Sequence, residues 1–345
     1  MIDLRKISVI LLCFMIFLSG CAANFERGLF LTENPLLNEK WAQENVNSSK
    51  STSTDIITEQ WANSLHSRAN SHTIGRDECI TCHDGYAFAN QITEAAQLPA
   101  STGQDCFACH AGHGRELKEA GMLNIPIKEN YEAGLGAVCS SCHHGNNVPD
   151  ITNARRAYPH YGPQADVISG FGGIRTSSDL QFYNTYGHIS MENSCVDCHM
   201  PVNKSGFRPH SFTMQPEYAE LVCASCHQDA TDFNLEAKAD YDGDGKVEGI
   251  QDEVSGLLDI LEKAIIEELD GGSFEPSKGV INYYDKNGNP ISSVPDKLYL
   301  ASYNYLLIQN DGSKGVHNPL FAVQLLQYSY KELTGREVPN AYKFQ

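Results

Sequence analysis

The sequence predicts a mainly α-helical protein with a loop-rich N-terminal part and long C-terminal helices. Apolar residues recur at helical spacing between Val254 and Leu269, which predicts an amphipathic helix over about 250–269. Two further helices are predicted over 296–308 and 317–333. By contrast, residues 59–230 contain many glycines and are predicted to form short helices and loops.

The composition limits the classes of function. The chain has 345 residues, of which 41% are hydrophobic and 20% charged, so it is expected to be globular with a sizeable core. Twenty-five Lys and Arg against 43 Asp and Glu give a formal charge of -18. Such a surface repels phosphate backbones, so no nucleic-acid partner is expected. The unusual quantity is 12 cysteines beside 13 histidines.

The N-terminus has the features of an export signal. Arg5 and Lys6 precede an apolar run over 7–18, which is shorter than the roughly 20 residues of a stable membrane anchor. The following Leu18-Ser19-Gly20-Cys21 resembles the lipobox of bacterial lipoproteins. Residues 1–20 are therefore predicted to be a signal peptide and Cys21 to carry lipid, the alternative being a plain secretory signal. The protein is expected to be exported and lipid-anchored in the periplasm, outer membrane or cell surface of a prokaryote.

A polar stretch follows the signal. Residues 45–54 are rich in Ser, Thr and Asn, which predicts that 21–58 form a flexible tether to the anchor.

The remaining ten cysteines all fall into C-x-x-C-H motifs. Two thiols three residues apart match the two vinyl groups of haem, and the next histidine can bind the iron. Residues 59–230 are therefore predicted to attach five c-type haems through the thioethers of Cys79, Cys82, Cys106, Cys109, Cys139, Cys142, Cys195, Cys198, Cys223 and Cys226. The proximal iron ligands would be His83, His110, His143, His199 and His227.

Other uses of these cysteines fit less well. Zinc knuckles need pairs of C-x-x-C to complete a tetrahedral site, and here five motifs each end in His. Disulfides between such near neighbours are strained, and a thioredoxin-like redox pair occurs as a single copy. Haem attachment of this kind takes place outside the cytoplasmic membrane, in agreement with the export signal.

Eight further histidines decide what the haems can do. A second axial histidine closes an iron and makes it an electron carrier, whereas an open position permits catalysis. Sequence context favours four of the eight as distal ligands: His66, His188, His210 and His317.

The arrangement resembles the pentahaem ammonia-forming cytochrome c nitrite reductases and their multihaem relatives over roughly residues 60–335. The shared features are the long gap between motifs three and four, histidines before and after motif four, and Gly315-Val316-His317-Asn318-Pro319 before a long helix. The resemblance implies a multihaem cytochrome c fold with stacked haems and a possible homodimer. It also implies the axial pairs His110–His210, His143–His66, His199–His317 and His227–His188.

This sequence departs from that family at the catalytic haem. The first motif ends in His83 instead of lysine, and the catalytic histidine would fall near Ser177 or Ser178. No tyrosine closely follows the third motif, so no catalytic residue is predicted. A spare histidine is expected to cap the iron of His83. His144 is preferred, followed by His160 and then by His72 or His113.

A second motif indicates a metal ion. Residues 240–248 match the start of a calcium loop, with Asp240, Asp242 and Asp244 at positions 1, 3 and 5 and Lys246 at position 7. Position 12 is Gln251 instead of the usual Glu, although Asp252 and Glu253 follow it. The alternative is a solvated acidic turn. Residues 231–345 are thus predicted to form a calcium loop and a helical region packed on the haem core, with a small hairpin at Asn287-Gly288.

Two functions remain. The favoured one is a lipoprotein that relays electrons through five haems in anaerobic or extracellular respiration. Its partners would be other cytochromes or a quinol-linked donor, and a homodimer or stacked assembly is possible. The alternative is a haem-based reductase of nitrite, hydroxylamine or a similar oxyanion, for which Arg155, Arg156 and Arg175 are the candidate anion partners.

Overall fold

The computed structural model describes residues 52–177 and 179–344. The predicted signal peptide, Cys21 and most of the tether lie outside the described residues. The end of that tether is corrected, because residues 53–58 belong to the first helix, α1 (Ser53–Asn63).

The N-terminal half consists of short helices and one hairpin. Several helices are short because local side chains start them and loops end them within two turns. Asp105, for example, accepts the backbone N–H of Ala108 at 3.1 Å and caps the helix that begins at Cys106. The helices are α2 (Asp77–His83), α3 (Gly85–Asn90), α4 (Cys106–His110), α5 (Gly112–Ala120), α6 (Ala137–Ser140), α7 (Gln164–Ile168), α8 (Tyr186–Ile189), α9 (Cys195–His199) and α10 (Tyr218–Val222).

Single 3-10 turns and a two-stranded sheet complete this half. The turns are Leu65–Ser67, Ala95–Gln97, Gly134–Gly136 and Cys223–Ser225. Strands β1 (Met122–Ile125) and β2 (Lys128–Glu132) pair in antiparallel fashion, with Leu123 opposite Tyr131.

Small residues allow these short elements to pack closely. Gly112 has a φ of +45°, and a Cβ there would collide with the carbonyl of Ala89 in α3. Only a small apolar cluster forms here, around Phe88, Ala108 and Val138, with the partly buried Cys109, Leu117, Cys139 and Cys142 packed against it. The cysteine motifs therefore lie where the protein supplies little apolar core of its own.

The C-terminal half holds the main hydrophobic core. Three long helices, α11 (Ile250–Glu268), α12 (Asp296–Asp311) and α13 (Pro319–Thr334), pack against one another. Every residue from Leu298 to Ile308 is buried, so α12 is the central helix of the group. A three-stranded antiparallel sheet, β3 (Ser273–Ser277), β4 (Val280–Tyr284) and β5 (Pro290–Ile291), lies between α11 and α12 in sequence.

Buried polar contacts tie this core to the loop after the third cysteine motif. Asn304 accepts the N–H of Ile174 at 2.7 Å and donates to its carbonyl at 2.9 Å. The Tyr299 hydroxyl donates to the carbonyl of Ala157 at 2.7 Å. Because these donors and acceptors are buried, losing either contact would leave polar groups unsatisfied. Residues from Ser53 onward accordingly form one compact unit.

The predicted C-terminal elements are confirmed with small changes at their ends. The three helices start within two residues of the predicted positions and end within three, and Asn287-Gly288 lies in the turn between β4 and β5. The mainly α prediction holds only in part, because the β1–β2 hairpin and strand β3 were not foreseen. Among the described helices, none is long and apolar enough to cross a membrane.

Candidate haem-binding site

Short helical turns present the cysteines of each motif. Motifs one, two and four lie on α2, α4 and α9, the third spans the end of α6, and the fifth occupies the turn at Cys223–Ser225. In a helical turn residues three apart are neighbours on one face, so both thiols of a motif point the same way. In the third and fifth motifs the N–H of the histidine donates to the carbonyl of the first cysteine, at 2.9 and 2.7 Å. None of the ten described cysteines forms a disulfide.

Each motif histidine faces a histidine from a distant part of the chain. The separations of the ring centroids fall in a narrow range: His83–His160 5.9 Å, His66–His143 6.0 Å, His110–His210 6.1 Å, His188–His227 6.2 Å and His199–His317 6.2 Å. Each bond from a metal to an imidazole nitrogen is about 2 Å long, so two rings on opposite sides of one ion have centroids about 6 Å apart. Each of the five pairs therefore has the spacing that would hold one metal ion between two imidazoles.

The sequence leaves several spare histidines as candidates for the position opposite His83, and the structure distinguishes between them. His160, and not the preferred His144, faces His83. The ring of His144 is engaged locally, since its Nδ1 accepts the N–H of Asn146 at 3.1 Å. His72 is exposed, and His113 lies 2.8 Å from the Gln91 amide. His160 therefore takes the place of the preferred His144 as the candidate partner of His83.

Hydrogen bonds orient most of these rings. An acceptor oxygen lies opposite Nδ1, which fixes the proton there and leaves Nε2 free for a metal. The bonds run from His143 to Gln164 Oε1 (3.1 Å), His160 to the Tyr161 carbonyl (2.9 Å), His188 to the Val316 carbonyl (2.6 Å), His199 to the Phe212 carbonyl (3.1 Å), His210 to the Arg208 carbonyl (2.9 Å) and His317 to Asp311 Oδ1 (2.6 Å). His110 differs, because its Nδ1 lies 3.3 Å from the ammonium of Lys118.

Burial lowers the pKa of several of these imidazoles, which favours their neutral form. Desolvation, followed by the charge of His143, lowers the pKa of His66 to about 4. Burial is also the main reason why the pKa values of His83, His188 and His199 lie below the ordinary value. A neutral imidazole is the form that binds metal. For His317 burial lowers the pKa, but the charge and hydrogen bond of Asp311 outweigh it and raise the pKa.

Phe212 connects three of the pairs, and nothing in the sequence singled it out. Its ring meets His66 edge-on at 4.6 Å and His210 at 5.8 Å, and its carbonyl accepts from His199. The backbone of Phe212 has a φ of +60°, which a bulky side chain rarely adopts. The strained backbone aims ring and carbonyl in the directions that these three histidines require.

The five motifs adjoin one another in space. The thiol of Cys82 lies 3.8 Å from the carbonyl of Ser141 in the third motif. Cys109 packs against the same small apolar cluster as Cys139 and Cys142. The turn before the third motif approaches the fourth so closely that a Cβ on Gly136 would lie 3.1 Å from the backbone nitrogen of Cys195. Helix α9 of the fourth motif contacts α10, which leads directly into the fifth motif. The third motif thus adjoins the first, second and fourth, and the fourth adjoins the fifth.

Comparisons with known proteins agree with this chemistry. Residues 181–242 match the family of cytochrome c7 and related cytochromes c. This part of the chain is thus similar to the c-type cytochromes. It is 25% identical over 185 residues to the C-type polyheme cytochrome OmcC of Geobacter sulfurreducens, a match that covers 45% of this chain and 20% of OmcC. C-type cytochromes bind haem covalently, and the C-x-x-C-H motifs of this chain contain the residue types that attach it.

A solved structure is also similar. The crystal structure of the outer cell wall cytochrome OcwA aligns with a TM-score of 0.49 and 18% identity, over 80% of this chain and 50% of OcwA. The chain spans half or less of each of these two cytochromes.

The predicted calcium loop brings its three aspartates together. Ligand oxygens of Asp240, Asp242 and Asp244 lie within 4.8 Å of one another. Burial is the first cause that raises the pKa of Asp242, and the neighbouring carboxylates add to it. The buried Glu253, two residues after the expected position 12, accepts the N–H groups of Tyr241 (2.7 Å) and Asp242 (3.2 Å).

Other features of the loop differ from the expectation. The side chain of Gln251 donates to the carbonyl of Ser313 at 3.1 Å. The ammonium of Lys246 lies 2.8 Å from Asp244. The side chain that contacts the backbone of the aspartate loop from the start of α11 is therefore that of Glu253, and not that of Gln251.

The candidate anion partners are largely engaged in the fold. Arg156 bonds Asp296 at 2.6 Å and donates to the carbonyls of Ile151 and Val294. Arg175 donates to the carbonyls of Gly170 and Phe171 and lies over the rings of Phe182 and Phe321.

Helix α7 supports the third motif from the side. The side-chain oxygen of Gln164 accepts a hydrogen bond from Nδ1 of His143, and the N–H of Ala165 donates to the His143 carbonyl at 2.9 Å. Asp166 is 1% exposed and accepts the N–H of Gly145 at 3.0 Å through one oxygen. Burial raises the pKa of Asp166 from 3.8 to about 7, although the Gly145 hydrogen bond opposes the rise.

This raised pKa predicts a pH-dependent effect of Asp166→Asn. As pH rises from about 4 to about 7, the unfolded chain ionises Asp166 before the folded chain does, so the folded state loses stability. Asn keeps the acceptor for Gly145 without this penalty. Chemical unfolding followed by circular dichroism is expected to show a gain of up to about 4 kcal/mol at pH 8 and little change near pH 4.

The matched control is Asp259→Asn, which removes a carboxylate from the exposed face of α11. It is expected to change stability equally at both pH values. An Asp166→Asn protein with the same free energy of unfolding as wild type at pH 8 would contradict the prediction.

Proposed function

We propose that the protein is a multihaem c-type cytochrome that relays electrons through five haems. The observation that carries this proposal is the set of five histidine pairs, each about 6 Å apart and each containing the histidine of one C-x-x-C-H motif. When bound, haem supplies a one-electron carrier at its iron, and two histidine ligands leave that iron without an open position.

The chain's own residues then have defined roles. The ten motif cysteines hold the haems covalently. The axial pairs are His83 with His160, His110 with His210, His143 with His66, His199 with His317, and His227 with His188. The oxygens opposite Nδ1 orient most of these rings, and the buried helix α12 fixes the segment that carries His317.

The contacts between neighbouring motifs give the proposed relay a branched path. The third motif adjoins three others and its cysteines are partly buried, so it is the branch point. Cys106 of the second motif and Cys226 of the fifth are exposed. Partners therefore exchange electrons most readily at the second and fifth motifs, where the attachment turn reaches the surface.

The cellular setting is part of the proposal. Covalent haem and the N-terminal export features support an exported cytochrome in anaerobic or extracellular respiration, anchored through lipid on Cys21. Other cytochromes or a quinol-linked donor are the proposed partners, with a homodimer or stacked assembly as the proposed state. The alternative, a reductase of nitrite or a similar oxyanion, requires an open iron, and His160 opposite His83 argues against one.

Substitution of single histidines tests the ligand set. The wild-type ferric protein is expected to be fully low-spin and unchanged by nitrite or hydroxylamine. His160→Ala opens one iron, so one of the five haems is expected to become high-spin in electron paramagnetic resonance. His144→Ala is the matched control, because it removes the adjacent spare histidine and is expected to leave all haems low-spin. A high-spin signal in wild type, or in His144→Ala alone, would contradict the assignment.

Stoichiometry of electron transfer tests the relay itself. The fully reduced protein, mixed with an excess of an oxidised soluble c-type cytochrome in a stopped-flow spectrometer, is expected to deliver five electrons per chain. Replacing both cysteines of one motif by serine removes one haem and should lower the yield to four or fewer. Delivery of fewer than five electrons by a protein carrying five haems would refute a continuous relay.

We also propose that Asp240, Asp242, Asp244 and Glu253, with the backbone at Lys246, form a structural calcium site. Calcium bound only to the folded protein stabilises it by about 2.7 kcal/mol at a hundredfold excess over the dissociation constant. Thermal unfolding is therefore expected to shift upward with calcium relative to a chelator. The double variant Asp242→Asn with Asp244→Asn should lose this shift, while Asp259→Asn should retain it. A wild-type protein indifferent to millimolar calcium would exclude the site.

A further inference from the structure

We propose that Asp311 makes the haem held by His199 and His317 the lowest-potential centre of the chain. This inference rests on the proposed relay, since it concerns one of its five carriers. It assigns to Asp311 a positioning and tuning role that acts through His317.

Asp311 is placed for this role by the end of α12. Its side chain is fully buried, and Oδ1 accepts from Nδ1 of His317 at 2.6 Å. The hydroxyl of Ser313 donates to Oδ2, and the Ser313 N–H lies 3.3 Å from the same oxygen. Gly312, in the left-handed region with φ of +75°, ends the helix and turns the chain so that Ser313 reaches back to the carboxylate. The carboxylate is thus held in one orientation against the ring.

The partners of the other ligands make His317 distinct. His160, His188, His199 and His210 donate to backbone carbonyls, and His143 donates to an amide oxygen. These acceptors are neutral. His110 faces the cationic Lys118, which has the opposite electrostatic effect. Among the seven proposed ligands with a described Nδ1 partner, His317 is therefore the one that faces a carboxylate.

Two physical effects would lower the reduction potential of a haem iron bound between His199 and His317. A carboxylate that accepts from Nδ1–H increases the basicity of Nε2, so the ring donates more strongly to a metal. A buried negative charge also stabilises the oxidised, more positive iron over the reduced one, and the low local dielectric strengthens this effect. Both effects act in the same direction.

A hydrogen-bonded bridge links this site to the branch point of the relay. Gln164 donates through Nε2 to the backbone carbonyl of Asp311 at 3.0 Å, and its Oε1 accepts from His143 at 3.1 Å. One side chain thus connects a ligand of the third pair with the residue that tunes the fourth. The proposed low-potential haem belongs to the fourth motif and therefore lies between the fifth motif and the third, which is the branch point.

The test is a spectroelectrochemical titration of the holoprotein, resolved into five one-electron steps. Asp311→Asn keeps an acceptor for His317 but removes the charge. The lowest step is expected to move to more positive potential by at least 59 mV, a tenfold change in its redox equilibrium, while the other four steps move less. Ser313→Ala removes a donor from the carboxylate, so the same step is expected to move to more negative potential. Asp259→Asn, with an equal loss of charge on an exposed helix face, should leave all five steps in place.

Each result supports or overturns the inference. A shift of a step other than the lowest, no shift at all, or equal directions for Asp311→Asn and Ser313→Ala would overturn it. If Asp311→Asn does not fold, the negative shift in Ser313→Ala decides alone, and its absence overturns the inference. Failure of the relay would be visible separately, because the wild-type protein would then lack five low-spin haems or five transferable electrons before any substitution at Asp311.

Discussion

The placement of five histidine pairs, each with ring centroids about 6 Å apart, constrains the rest of the molecule. One ring of each pair is local to a cysteine motif, and the other comes from a segment far away in sequence or across a loop. Short helices suit this placement because each needs to present only two thiols and one ring. The loops between them are free to carry the opposing histidines.

The apolar C-terminal core supplies what the motif region lacks, a rigid support. Asn318, at the start of α13, is buried and holds the segment before α8 through the N–H of Thr185 at 2.9 Å. His188 donates to the carbonyl of Val316 in the same turn. The turn that carries His317 therefore also positions His188, so one junction of the core serves two of the five pairs.

Much of this organisation could be predicted from the sequence, because the motif spacing is chemically specific and the helical periodicity of residues 250–269 is strong. Sequence context favoured four histidines as distal ligands, and the structure places the ring of each beside a motif histidine. The sequence could not decide between His144 and His160, because that choice depends on the turn at Asn146, which directs the His144 ring to a backbone N–H. Phe212 and Asp311 act through backbone geometry and burial, which no local pattern reveals, whereas Glu253 was visible as a carboxylate close to position 12 of the loop. The β1–β2 hairpin was missed because its strands are short and neither shows a clear alternation of apolar and polar residues.

With haem bound as proposed, each histidine pair would also be a cross-link in a polymer. Their members are separated by between 39 residues, for His188 and His227, and 118 residues, for His199 and His317. A link across a long loop removes more chain entropy from the unfolded state than a link across a short one, although the increase is slow, about 0.6 kcal/mol per doubling. The spans also interleave, since the loop from His66 to His143 encloses His83 and His110, whose partners lie beyond it. Five interleaved links make the motif region a network in which loosening one ligand weakens the topological constraint on its neighbours.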